Sequence, residues 1–244
     1  MLNNDARLEY DRHELSEVYV TELSVTEDNG GITLTFKGAL TSYSARNLVD
    51  NMTVIYRVKK NGLLCVSVSG KPTKNLPFLP RFGMELLLAG DKNAVTYYGL
   101  GPTENYIDMH HAAYLGLFST TVKEMYEPYV MPQDHGLRTR VRMLSIAEGD
   151  GTGLLFLSDV GFDFAVSEYD AHKVKMAKHP YELIADGKTH LRIDYKNTGV
   201  GSTICGPMIK DEYLFNEDVF SYSFSILPTN NGSIFKKLTQ GDPA

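Results

Sequence analysis

The sequence predicts an all-β protein, a large antiparallel sandwich, and three observations carry that expectation. Apolar residues recur at every second position in short runs. Asn-Gly and Asp-Gly turns separate those runs. Segments with helical spacing are few. The chain has 244 residues, of which 43% are hydrophobic, enough for a sizeable core. Sandwiches of this size often form one unit, so length forces no boundary. The expected organisation is a single sandwich over residues 1–228 and a polar, turn-rich tail over 229–244.

The elements follow in order. Ile32, Leu34 and Phe36 alternate with Thr33, Thr35 and Lys37, after the turn "EDNGG". Val54, Tyr56 and Val58 alternate with Ile55, Arg57 and Lys59, and "KKNG" then leads into "LLCVSVSG". Met84, Leu86 and Leu88 continue the pattern up to "AGDKN". Leu137, Thr139, Val141 and Met143 alternate with Arg138, Arg140 and Arg142, a row expected to face solvent or an interface. Further turns follow at "EGDGTG" and "ADGKT". The last run sets Phe220, Tyr222, Phe224 and Ile226 against Ser221, Ser223 and Ser225. Such turns between alternating runs are the strongest short-range hairpin signal. Helical spacing is confined to "SARNLVD" (44–50), "AAYLG" (112–116) and "STTVKEMY" (119–126).

Composition narrows the function classes. The net charge is −6, with acids and bases interspersed and no basic run suited to phosphates, which argues against nucleic-acid binding. No apolar stretch approaches the roughly 18 residues of a membrane helix. The start "MLNNDARLEYDRHEL" is too polar for a secretory signal. Two cysteines, Cys65 and Cys205, make no disulfide framework, and a cytoplasmic location is expected. Fifteen Tyr and eleven Phe stand beside no Trp, although Trp is a frequent stacking platform for sugars.

Four segments hold candidate chemistry. In "GLGPTENY" (99–106), the glycines and proline make a sharp loop that aims Glu104 and Asn105 at a cleft, and simple turn chemistry explains them equally well. His110 and His111 are adjacent, would point to opposite faces of a strand, and lack metal-pair spacing. In "MPQDHGLRTRVR" (131–142), Asp134 and His135 form either an acid–imidazole pair or a turn. "NTGVGSTICGP" (197–207) is a long glycine-rich loop without a phosphate-cradle frame, carrying one thiol. The Asn216-Glu217 pair in "FNEDVF" looks like a glycosidase acid/base dipeptide. It lies in a turn, however, and no second carboxyl at about 5 Å is marked in the sequence.

"LPRFGMELLL", "YYGLGPTENYIDMHHAAYLG", "YEPYVMPQDHGLRTRVRML" and "NTGVGSTICGP", in that order, resemble the C-terminal domain of large bacterial β-galactosidases of glycoside hydrolase family 2. The same domain is the small subunit of two-chain enzymes of that kind. The resemblance covers roughly Val18 to Pro228. It implies a galactose-mutarotase-like supersandwich that supports a catalytic barrel, or a large subunit, holding the hydrolytic glutamates. It also implies a loop at the rim of the galactoside site, matched here by Ser202, Thr203, Cys205 and Gly206, with Cys205 where relatives place a Trp platform. The first strands of such domains, with their Arg-Ala-Pro-x-Asp-Asn-Asp type segment, have no counterpart here. That leaves a sheet edge which favours pairing with another copy. On this reading no catalytic residue and no cofactor belong to this chain, with Mg²⁺ or Na⁺ expected in the full enzyme. Glu104, Asn105, Asp134 and His135 then shape a sugar-contacting surface. Two alternatives stand beside it: a free-standing mutarotase or epimerase using a His and a Glu, and a non-catalytic carbohydrate-binding module rich in Tyr.

Overall fold

The computed structural model describes residues 16–42, 47–74, 77–89, 92–201 and 209–229. Its strands are β1 (Glu17–Asp28), β2 (Gly31–Thr41), β3 (Asn47–Lys59), β4 (Leu64–Pro72), β5 (Arg81–Leu88), β6 (Ala94–Gly101), β7 (Tyr114–Thr121), β8 (Arg138–Ala147), β9 (Gly153–Ser167), β10 (Thr189–Asn197) and β11 (Phe220–Thr229). One short helix, α1, spans Ala171–Met176, and single 3₁₀ turns lie at Lys123–Met125, Pro180–Glu182 and Asp211–Tyr213. The ladders β1–β2, β2–β3, β3–β4, β6–β7, β6–β8, β8–β9, β9–β10 and β9–β11 are all antiparallel. The expected all-β, antiparallel class is therefore what forms.

The helical expectations were mostly wrong. Asn47–Asp50 of "SARNLVD" open β3, and Tyr114–Gly116 of "AAYLG" open β7. Only Lys123–Met125 of "STTVKEMY" turns helically. Ladder pairing on neighbouring strands overrode a weak local propensity. The helix that does form, α1, starts at Asp170, whose Oδ1 accepts from the backbone N–H of His172 (2.9 Å) and Lys173 (3.1 Å).

The chain divides into two compact units. One takes the described residues up to Phe82 together with Lys196–Phe224; the other takes Gly83–Tyr195 and the residues from Ser225 onward. In the first unit β1 to β4 form a meander. The Asp28 carboxylate accepts from the N–H of Gly30 (2.7 Å) and Gly31 (3.0 Å) and pairs with Arg57, closing the β1–β2 turn. The Gly30 donor first, then Arg57, hold the Asp28 carboxyl below its usual range. The unit's core gathers Phe82, Phe215, Phe220 and Tyr222; Phe82 and Phe220 have ring centroids 4.5 Å apart. The period-two reading of the last run holds, since Phe220, Tyr222 and Phe224 are buried and Ser221 and Ser223 exposed.

In the second unit the strands run β7–β6–β8–β9. β9 is long enough to pair with β11 over Gly153–Leu157 and with β10 over Asp163–Ser167. Tyr97, Phe156, Phe162 and Phe164 are all but fully buried. Tyr97 packs on Phe118 and Phe164, with centroids at 5.2 and 5.3 Å. The expected arginine row on β8 splits. Arg140 and Arg142 are exposed, but Arg138 is only 3% exposed. The register with β9 shifts between Arg138 and Val141, and Arg140 has φ +56°. That irregularity breaks the period of two that the row assumed.

Candidate functional site

The site is built in the second unit, where the loop after β6 meets the segment before β8. β6 can pack closely because its turn end is glycine: a Cβ on Gly99 would lie 2.6 Å from Val141 Cγ2, and one on Gly101 would lie 2.2 Å from the Tyr97 oxygen. The Pro102 carbonyl then accepts from Tyr97 Oη (3.3 Å) and Arg138 Nε (3.0 Å). Arg138 also donates from Nη1 to the carbonyls of Gly136 (3.1 Å) and Leu137 (3.3 Å), and from Nε to Tyr97 Oη (3.2 Å). A buried guanidinium with its donors spread over loop carbonyls locks the two segments together.

Asn105, at 1% exposure, does the same from the other side. Its Nδ2 donates to the carbonyls of Leu100 (3.1 Å) and Thr103 (3.0 Å), and its Oδ1 accepts from the Thr139 N–H (3.1 Å) and hydroxyl (2.5 Å). Its backbone N–H reaches the Leu137 carbonyl at 2.9 Å. Glu104 turns the opposite way. Its Oε1 accepts from the Tyr129 hydroxyl, and its Oε2 accepts from the Gly136 N–H (2.9 Å) and the Tyr106 hydroxyl (3.4 Å). Gly136 sits at φ +76°, and a Cβ there would approach the Met125 carbonyl to 2.9 Å, so glycine is required where Glu104 is clasped.

The electrostatics follow this geometry. Burial, then the bond to Glu104, pushes the Tyr129 phenol up to about 12. Burial, then the charges of Glu104 and Asp134, pushes the Tyr106 phenol far above its ordinary range. Asp134 pairs with Arg192 Nη2 at 2.5 Å. Burial opposes the Arg192 charge, but Asp134, Asp194 and Glu85 outweigh it and raise its pKa. His135, 7% exposed, places Nδ1 at 2.8 Å from the Gln133 carbonyl, and its ring meets Tyr126 edge-on at 5.0 Å. A carbonyl can only accept, so the proton belongs on Nδ1. Nε2 is then a buried lone pair without a hydrogen-bond partner.

Glu104, Asn105, Asp134 and His135 therefore gather where two loops meet, but they are engaged differently. Asn105 is a staple and Glu104 is clasped by three donors. Asp134 leans on an arginine, and His135 bonds its own loop. His110 and His111 lie in a turn rather than on a strand, with rings stacked at 4.9 Å instead of pointing apart. Ser202, Thr203, Cys205 and Gly206 lie outside the described residues. The start of their loop is anchored in the first unit, where Thr198 Oγ1 donates to the Leu79 carbonyl (2.7 Å) and accepts from the Phe215 N–H (3.0 Å). Glu217, also in that unit, pairs with Lys196 Nζ at 2.6 Å. Sequence reasoning missed Tyr129, Arg138 and Arg192. Tyr129 stood within a quoted block, whereas Arg192 sits in an ordinary alternating run with no local mark.

Comparison with known proteins decides the family. Residues 1–226 match the family model described as the β-galactosidase small chain. The chain belongs to the β-galactosidase small-chain family. The β-galactosidase of Actinobacillus pleuropneumoniae is 33% identical to this chain over 84% of its length, and that of Pseudoalteromonas haloplanktis is 35% identical over 70%. The chain spans 20% and 16% of those two proteins, about a fifth or less of the curated relatives it matches. Among solved structures, a galactose mutarotase related enzyme from Lactobacillus acidophilus aligns at 10% identity and TM-score 0.39, covering 86% of this chain and 72% of its own. An aldose epimerase homologue from C. elegans aligns at 9% identity and TM-score 0.39, covering 85% and 68%. Among the described residues, no helix is long and apolar enough to cross a membrane.

Proposed function

We propose that the chain is the non-hydrolytic small-chain part of a β-galactosidase, supporting a larger region that carries the glutamates of galactoside hydrolysis. The observation that carries this reading is the family match over residues 1–226 combined with the small share of each relative that the chain spans. The state of the candidate carboxylates supports it. A retaining glycosidase needs two carboxyl groups roughly 5 Å apart and free to act. Here Glu104 is taken up by Tyr129, Tyr106 and Gly136, and Asp134 is engaged with Arg192. The loop containing Ser202, Thr203, Cys205 and Gly206 is its contribution to the sugar site, and any Mg²⁺ or Na⁺ requirement belongs to the whole enzyme.

The test is hydrolysis of nitrophenyl-β-galactoside by the chain alone and mixed with a larger β-galactosidase fragment lacking the matching segment. The expected result is no turnover alone and turnover in the mixture. Turnover by the chain alone, abolished by Glu217→Gln or Glu104→Gln, would overturn the reading.

A further inference from the structure

Residues paired across an antiparallel ladder share a face, so the registers of β1 to β4 fix which side chains lie together. Leu23 pairs with Phe36 and Val25 with Leu34. Phe36 pairs in turn with Val54, Leu34 with Tyr56, and Ile32 with Val58. Val54 and Tyr56 then meet Val68 and Val66. One face of the meander is thus apolar, while the other carries residues such as Ser24, Thr26, Thr33 and Lys37. The register slip between Val20 and Glu22 keeps Val18 and Val20 in phase with Leu23, because their partners Leu40 and Gly38 continue the every-second-residue series of Phe36 and Leu34.

This face is covered at β4 and uncovered toward β1. Val66 and Val68 are 1% and 3% exposed, Ile32 and Val58 42% and 43%, and Leu23 and Val25 57% and 60%. Among the described residues no strand pairs with the outer edge of β1. An apolar sheet face beside an open edge marks an interaction site.

Charge selects the occupant. β1 carries Glu17, Glu22, Glu27 and Asp28 and no Lys or Arg. Lys37 and Arg57 answer Glu22 and Asp28. A second copy docked edge to edge would bring this acidic strand against another copy of itself, with no Lys or Arg on either edge strand, which is destabilising. Glu27 pairs with Ile32 and so lies on the apolar face itself, where a partner presenting apolar side chains beside a Lys or Arg is complementary. Most of the length of the curated relatives lies outside the matched segment and is the candidate partner, since this chain spans 20% and 16% of two of them.

We propose that the apolar face of β1, β2 and β3 is a docking surface whose occupant is the larger region of a β-galactosidase. This rests on the small-chain reading above and names the surface through which the two parts meet.

The probe is the Actinobacillus pleuropneumoniae β-galactosidase with the segment similar to this chain removed. Its affinity for the full chain is measured at several salt concentrations, together with restored nitrophenyl-galactoside hydrolysis. The wild-type chain binds, with affinity falling as salt rises. The double variant Leu23→Ser, Val25→Ser binds about tenfold weaker or worse, while Ser24→Ala, Thr26→Ala on the opposite face stays within about twofold. All four positions lie on an exposed strand, and circular dichroism checks that each variant folds. If the apolar-face variant binds and restores turnover like wild type, the surface is wrong and the small-chain reading stands. If the wild-type chain neither binds nor restores turnover, both fall. If sedimentation shows a wild-type homodimer that the apolar-face variant dissociates, the occupant is a second copy and the proposal is overturned.

Discussion

Asn105 uses its side-chain amide and carbonyl entirely on the protein, joining the end of β6 to the start of β8. Asn105→Ala would leave the Thr139 N–H and the carbonyls of Leu100 and Thr103 short of partners in a buried place. The expected cost is roughly 3 kcal/mol, at one to three per orphaned group with partial relaxation. Urea unfolding checks it, and a change under about 1 kcal/mol would show that Arg138 and Glu104 hold the loops without the Asn105 side chain. Tyr129 makes a second prediction. Its folded phenol holds the proton more tightly than an ordinary tyrosine near 10, so its contribution to stability is complete below about pH 10 and is lost as pH climbs through about 12. The difference in ultraviolet titration between wild type and Tyr129→Phe should show a phenol ionising near 12. A difference centred near 10 would mean that the phenol is neither buried nor bonded to Glu104. Gly136→Ala, strained at φ +76° and pressed on the Met125 carbonyl, should destabilise by about 1–2 kcal/mol. At this scale the sequence marked Glu104 and Asn105 because glycine and proline announced their loop. It could not mark Arg192, which reaches Asp134 from 58 residues away.

Strands were legible and helices were not, for one physical reason. A two-residue period survives wherever a sheet has a wet and a dry face, and the serines of β11 display it cleanly. A six- or seven-residue stretch with helical spacing has no such protection, so "SARNLVD" yielded Asn47–Asp50 to β3. α1 was missed because its signal is one capping aspartate, Asp170, before six residues. The slip on β1 was equally unreadable, since one extra residue looks like noise in an alternating run. Its presence makes a prediction about the element. Deleting Thr21 should remove the slip and leave Val18 and Val20 on the face of Leu23 and Val25 in an uninterrupted ladder. Hydrogen exchange would then show protection kept over residues 17–20 as over 23–28. Protection lost over residues 17–20 alone would mean that Thr21 is not the extra residue.

For the whole molecule, the ordered motifs were enough to indicate the family, because long specific blocks are spaced along most of the chain. The partition into two units was not legible. Each unit draws on segments far apart in sequence, and no linker composition marks the crossings at Phe82, Tyr195 and Phe224. That arrangement reaches back to how the protein is made. The first unit lacks its Phe215–Phe220 core until synthesis passes Phe224, and the second lacks the β11 partner of β9 until Thr229 has emerged. A ribosome therefore carries everything from β1 to Phe224 before the first unit can close, and everything from Gly83 to Thr229 before the second. Until then, the apolar run from Phe82 to Leu88 and the first half of β9 wait for partners still being translated.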